Sequence, residues 1–454
     1  MLFRGRKTAE MRKFILINSP IFWDSVKEKE QYLSPLGLGY IATYLEKISN
    51  IYVEIVDCVK ERRSVSDVIS YINRTKPDYM GINIFTQNYE MVKKIVENIS
   101  VKCICFIGGQ AVKSIYNKIL DWKVSNTLNI IIGEGEFIMP QIVLGKCSQK
   151  PEIQRGSKFV YRVDKDSIYF PKDISNIFLN RKYLGNEIVI NHYGEKEIAI
   201  ITSRGCMFDC AFCGGAKSLN KDVTIRIRTE ESVVKELNEI LSTYPDIESV
   251  RILDDLFLRS GNSIDMANNI FSQFSQLSWR GMVHVLSLVN VIEKIRELRI
   301  GGCKELFIGI ESGSESIRKR INKMGSPNDI LEVSQAILQN GIDLKGYFIY
   351  GFPKETKADF QKTFELAKRL KEISLRTDGT FRTSVFQFRP YDGTQLYNEI
   401  VKDTGIIQDC QFNNSISRFG GRAQFNFDFG NYSMESKEVL NEYIIKTQEL
   451  SGEK

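Results

Sequence analysis

The stretch SRGCMFDCAFCGG, residues 203–215, places Cys206, Cys210 and Cys213 within eight residues, with Gly214 and Gly215 directly behind them. The spacing is C-x3-C-x2-C, and no fourth cysteine lies nearby. Structural zinc takes four protein ligands, usually in paired spacings. The two histidines of the chain, His192 and His284, are not placed as a pair. A [4Fe–4S] cluster held by three thiolates instead keeps one iron open to a substrate or cofactor. A short loop at a strand end can wrap three corners of such a cube. On spacing alone, a zinc knot completed from afar and a chance cluster in a core are the competing readings.

Working outward, EIAIITSRGC (197–206) reads as a strand running straight into this loop. SVVKELNEILSTY (232–244) has helical period, with Thr229 as N-cap and Glu230 and Glu231 in the first turn. Further apolar runs follow: SVRILDD (249–255), MVHVLSLV (282–289), ELFIGIES (305–312), LKGYFIYGFP (344–353) and TSVFQFRP (383–390), with helical segments between them. Six such βα units predict a partial barrel of parallel strands, whose chemistry sits at the strands' carboxyl ends. Polar or special residues fall there each time: Cys206, Asp254 and Asp255, Asn290, Glu311, Gly351 and Arg389. A core alone explains the apolar runs but not these endings. Read singly, Glu311 could be a satisfied strand-end carboxylate and the aspartates helix caps.

The first third has its own alternation. Strands are expected at 13–19, 52–58, 79–85, 103–109 and 129–136, each followed by an amphipathic segment. Five βα units make a doubly wound, flavodoxin-like sheet, and ligands of such sheets sit at the carboxyl ends of the strands. Those ends carry Ser19, Thr86, Gln87, Gly108, Gly109, Glu134 and Gly135. Glycine there either serves a turn or lets backbone approach a bulky ligand. No GxGxxG follows the first strand, which disfavours a nicotinamide dinucleotide.

Taken together, these motifs resemble the radical SAM family. SRGCMFDCAFCGG is similar to its CxxxCxΦC signature, with Phe212 as the aromatic. ILDDLF, GIESGSE, GYFIYGFPKET and FRPYDGTQLY resemble later segments of that barrel in order, with Asp392 where the family has a second proline. SPLGLGYIATYLEK, FIGGQAV and IIGEGEFIMPQIV resemble the cobalamin-binding domain that precedes many members. The resemblance covers roughly residues 12–400. It implies a B12-binding-type Rossmann-like domain (1–147), a connector (148–195), a partial (β/α)6 TIM-type barrel (196–390) and a C-terminal extension (391–454). Cys206, Cys210 and Cys213 would hold the [4Fe–4S] cluster. Phe212, Gly214, Gly215, Asp254, Asp255, Glu311, Ser312 and Gly351 would bind S-adenosylmethionine (SAM), with Asp254 or Asp255 taking its amino group and Glu311 its ribose. The seven strand-end residues of the first domain would meet cobalamin. No DxHxxG is present, so the resemblance implies a cobalt without a lower histidine. In the family the third strand often ends near an arginine, which HVLSLVNV lacks.

The implied activity is a radical methyl transfer to an unactivated carbon of a small-molecule intermediate. The alternative is a non-methylating radical reaction: rearrangement, cyclisation or sulfur insertion. The implied partners are a small-molecule or peptide substrate and an electron donor such as flavodoxin or ferredoxin. Modification of RNA is disfavoured by a net charge of only +6 from 62 basic and 56 acidic residues. A non-catalytic iron–sulfur protein is disfavoured by the SAM-like motifs on four further strands.

Apolar content of 43% is ordinary for globular protein, and no stretch is long and apolar enough to span a bilayer. The basic opening MLFRGRKTAEMRKFILINSP reads as a ragged start before a strand rather than a signal peptide. Nine cysteines without framework spacing fit a reducing cytoplasm and metal ligation better than disulfides. Cys58, Cys103 and Cys105 read as small core residues, and with Cys147 they lack the loop placement of a second cluster. His192 in the connector and His284 on the third strand read as packed or solvated.

Overall fold

The computed structural model describes residues 10–21, 33–185, 187–220, 224–404 and 431–451. They form two compact units, Met1–Lys172 with Ile177–Asn186, and Asp173–Asn176 with Glu187–Lys454. Within the C-terminal extension, the Gly-, Phe- and Asn-rich FGGRAQFNFDFGNYS (419–433) apart from its last three residues, and Cys410, lie outside the described residues.

In the first unit, strands β1 (Arg12–Asn18), β2 (Ile51–Asp57), β3 (Tyr79–Asn83), β4 (Ile104–Gly108) and β5 (Thr127–Gly133) alternate with helices. These are α1 (Leu36–Leu45), α2 (Val65–Thr75), α3 (Tyr89–Asn98), α4 (Val112–Leu120) and α5 (Ile138–Val143). Phe14, Ile15, Leu16 and Ile17 are all buried, as expected of a strand covered on both faces. Ser64 and Asp67 close a capping box that starts α2. Residues 148–172, read from sequence as connector, belong to this unit: β6 (Ile153–Arg155) and β7 (Lys158–Val163) extend its sheet. The order is β2-β1-β3-β4-β5-β7-β6, parallel except for the β6–β7 hairpin. The first five strands follow the doubly wound order.

The second unit opens with β8 (Val189–Ile190), β9 (Lys196–Ile200), and the short pair β10 (Ser203–Arg204) and β11 (Arg226–Ile227). There follow α6 (Glu230–Thr243), β12 (Ser249–Ile252), α7 (Gly261–Phe271), β13 (Ser278–Val283), α8 (Ile295–Ile300) and β14 (Cys303–Glu311). Then come α9 (Glu315–Arg320), α10 (Pro327–Gln339), β15 (Asp343–Tyr350), α11 (Lys357–Ser374), β16 (Phe381–Gln387), α12 (Gln395–Thr404) and α13 (Lys437–Glu449). The sheet runs β16-β15-β14-β13-β12-β9-β8, with six neighbouring parallel strands and β8 antiparallel at the edge. Consecutive strands pair side by side and β9 does not meet β16, so this is an open part-barrel. Thr229 caps α6 by accepting from Ser232 N–H, as the sequence predicts. Helix α13 packs one face on the fold, with Leu440, Tyr443 and Ile444 buried and Tyr350 Oη 2.8 Å from Thr447 Oγ1.

The third strand differs from its sequence reading. It starts at Ser278 and ends at Val283, so most of MVHVLSLV is not strand. His284 Nδ1 accepts from Leu286 N–H at 3.2 Å, and the chain closes into a 3-10 turn over Val285–Ser287. Asn290 therefore does not end a strand.

At the amino ends of the strands, charges are locked inside. Arg280 donates from Nε and Nη2 to Glu197, both at 2.6 Å, and from Nη1 to Glu305 at 2.9 Å. Arg382 completes Glu305 through Nε at 2.5 Å and Nη2 at 2.8 Å. Burial and the charges of Arg382 and Arg280 push His192 beside them down to about 4, so it is neutral.

Candidate active site

The loop after β9 is fixed before any cofactor arrives. Asp254, just past β12, is buried and accepts from Thr202 N–H at 2.7 Å, Thr202 Oγ1 at 2.6 Å and Ser203 Oγ at 2.5 Å. Gly205 takes a φ of +92°, which favours glycine, and the cysteines follow. Ala211, between the second and third cysteines, donates to Ile321 O at 2.9 Å and accepts from Leu396 N–H at 3.0 Å. The loop is thus pinned from β12, from the end of α9 and from α12.

Cys206, Cys210 and Cys213 are all free thiols. Burial pushes each of them up, Cys213 to about 12. A charge on Cys206 or Cys210 would push Cys213 further, so the three share one neighbourhood. Gly215 N–H donates to Cys213 Sγ at 3.3 Å. Among the described residues no three His, Cys, Asp or Glu side chains are grouped to hold a single metal ion. Three thiols that each take a different corner of a four-iron cube are a different arrangement. The donor set fits the cluster: three thiols, no fourth beside them among the described residues, and positive charge from Lys323 opposing the upward shift at Cys206 and Cys210.

The structure divides the two aspartates. Asp254 is engaged by the loop, through Thr202 and Ser203. Asp255 reaches solvent, accepts from Gly205 N–H and lies in the field of Arg259. Its crowded surroundings push its carboxyl up. Glu311 ends β14 in the left-handed region, φ +64°, where a non-glycine residue is strained. Its Oε1 lies 3.2 Å from Lys323 Nζ. Ser312 does not face an opening: it is fully buried, its hydroxyl shared with Thr363 at 3.1 Å and accepting from Ser314 N–H. Gly351 is used for its backbone, with φ +94° and its N–H given to Glu355 at 2.7 Å. Phe212 packs on Phe352, ring centres 5.6 Å apart.

Three groups around the loop escaped the sequence reading. Lys323 and Arg259 sit close enough to oppose the upward shift of Cys206. His284 stacks on Phe208, centroids 3.8 Å apart and planes 21° apart. The misread end of β13 hid His284, and nothing local marks Lys323.

In the first unit, Gly108 and Gly109 end β4. A Cβ at Gly108 would meet nothing within 4 Å, whereas at Gly109 (φ +115°) it would strike Ile84 O at 2.6 Å. Backbone with open space in front of it suits a bulky, flat ligand. Gly135 lies tight against Met139 and Ile41, and Glu134 beside it is part-buried. Ser19 turns inward, its Oγ accepting from Asn88 Nδ2 at 2.6 Å. Thr86 and Gln87 are buried in the turn after β3. Ser19 is therefore a brace for the sheet edge rather than an open contact. No histidine lies in this unit, which fits a cobalt without a lower histidine from its own domain. Cys103 and Cys105 are buried there with Sγ atoms 3.6 Å apart.

Residues 200–367 match the Radical SAM superfamily, and residues 25–143 match the B12 binding domain. An uncharacterized methyltransferase of Pyrococcus horikoshii is 27% identical over 394 residues, 82% of this chain and 80% of that protein. The cobalamin-dependent S-adenosylmethionine radical enzyme OxsB superposes with a TM-score of 0.66 at 15% identity, over 96% of this chain and 66% of that one. The radical S-adenosylmethionine methyltransferase TsrM of Kitasatospora setae, solved with cobalamin and a [4Fe–4S] cluster, gives 0.61 at 15% identity, over 87% of this chain and 75% of that one. No helix among the described residues is long and apolar enough to cross a membrane.

Proposed function

We propose, from the premise that the chain belongs to the radical SAM superfamily in its B12-binding-domain form, that it is a cobalamin-dependent methyltransferase acting on an unactivated carbon of a small molecule. The observation that carries this reading is the presence in one chain of a three-thiol loop and a separate sheet that leaves open backbone at one strand end, Gly108. When bound, the cluster and SAM supply a carbon radical that removes a hydrogen atom, and cobalamin supplies the methyl group.

The chain's own part is to hold and orient. Cys206, Cys210 and Cys213 hold three irons. Asp255 takes the SAM amino group and Glu311 a ribose hydroxyl, with Lys323 Nζ 3.2 Å from the Glu311 carboxylate. Phe212 and Phe352 form an apolar wall that excludes water on that side. Gly108, with nothing within 4 Å of its Cβ position, lets cobalamin lie against backbone. The substrate is a small molecule or peptide, and the electron comes from a carrier such as flavodoxin or ferredoxin. Free thiols and a low-potential cluster suit a reducing cytoplasm.

The test uses protein purified without oxygen after expression with cobalamin, with iron counted and the extracted corrinoid identified by mass spectrometry. About four irons per chain with near-stoichiometric corrinoid is the expected result. Replacing all three cysteines by alanine removes the iron and SAM cleavage. Four irons and SAM cleavage without corrinoid would overturn methyl transfer through cobalamin and leave a non-methylating radical reaction.

A further inference from the structure

His284 is 5% exposed, and its Nε2 has no hydrogen-bond partner among the described residues. The tautomer follows from the other nitrogen. Nδ1 accepts from Leu286 N–H, so the proton sits on Nε2, which points away from the residue's own backbone turn. Burial, with the charges of Lys323 and Arg318, pushes the imidazole down to about 3 and keeps it neutral. A buried N–H donor without an acceptor is a cost that native proteins rarely leave standing. No described residue supplies that acceptor.

Its place narrows the choice. The ring lies face to face with Phe208, which stands between Cys206 and Cys210 in the cysteine loop. Lys323 acts on His284, Cys206 and Cys210 alike, and Arg318 lies in the fields of both Cys210 and His284. The Glu311 carboxylate is engaged by Lys323. With Cys206 and Cys210 in the same neighbourhood, the anion-rich group there would be the cluster that the cysteine loop holds.

We propose that His284 Nε2–H donates a hydrogen bond to a sulfur of the [4Fe–4S] cluster and so raises its reduction potential. The idea rests on the cluster reading above. Added electron density on the sulfurs strengthens the hydrogen bond, which favours the reduced state. Lys323 supplies a positive charge to the same end.

The chain has only two histidines, and the other, His192, is tied into the ion network at the strands' amino ends. Protein labelled with 15N-histidine, loaded and reduced, should therefore show one histidine nitrogen coupled to the cluster in pulsed EPR, lost in H284F. At a fixed potential H284F should hold about tenfold less reduced cluster relative to oxidised, which is about 59 mV for one electron. H284Q, which keeps an N–H donor, should recover most of the shift. An uncoupled nitrogen in the wild-type protein overturns the proposal, whatever the variants do. So does an H284F potential equal to wild type. A coupling that appears only after SAM is added assigns the donor to the SAM carboxylate and overturns the cluster bond. Wild-type protein without a [4Fe–4S] signal overturns the cluster reading itself, a result visible before any labelled sample is made.

Discussion

Asp254 and Asp255 are neighbours in sequence and opposites in use. Asp254 accepts three hydrogen bonds from residues at the end of β9, so D254A should cost about 3 kcal/mol in denaturant unfolding, from groups left unsatisfied. D255N should leave that midpoint within error and weaken SAM binding, read by calorimetry on the loaded enzyme. Glu355 makes a second residue-scale case. It is fully buried, Oε2 accepts from Gly351 and Phe352 N–H, and burial raises its carboxyl from 4.5 to about 8. The folded state thus favours the protonated form. Its contribution to stability is fully present below 4.5 and is lost as pH rises through 8. E355Q, which cannot ionise, should match the wild type near the acid end and gain on it steadily towards the alkaline end, measured as unfolding free energy against pH. The three cysteines were legible in sequence because their meaning lies in local spacing. The division between the aspartates was not, because it depends on Thr202, 52 residues away.

Among the elements, strands followed the sequence wherever apolar runs were broken by turn residues. Helices α2 and α4 are the amphipathic segments expected after the second and fourth strands. The failure at β13 has a simple cause. MVHVLSLV is apolar enough for a strand, but the histidine side chain bonds the backbone two residues on and turns the chain. The β6–β7 hairpin was missed for the opposite reason, since its polar residues read as linker. The elements of the second unit are tied together at their amino ends by Arg280. R280M should destabilise by about 3–5 kcal/mol, because Glu197 and Glu305 would stay buried without their shared cation. Adding E197Q should restore part of the loss, and the double-mutant cycle in urea measures the coupling.

At the level of the whole molecule, the thiol loop and the open glycine edge belong to different compact units. Loading of the two cofactors should therefore separate. The triple cysteine-to-alanine variant should contain no iron yet take up corrinoid at the wild-type ratio, measured by mass spectrometry of the extracted protein. A parallel loss of both would contradict the division. Such independence was partly visible in sequence as two alternating βα series with different endings. What the sequence left open was the interior of each unit, where contacts over long separations decide which polar group is brace and which is free.

The buried ions at the amino ends of β9, β13, β14 and β16 have a kinetic corollary. Deuterium should enter the part-barrel from the opposite, ligand-bearing end. Amides of Trp279–Gly281 and Glu305–Leu306, next to the locked charges, should be the last of the sheet to exchange, while the loop that bears the thiols labels earlier than they do.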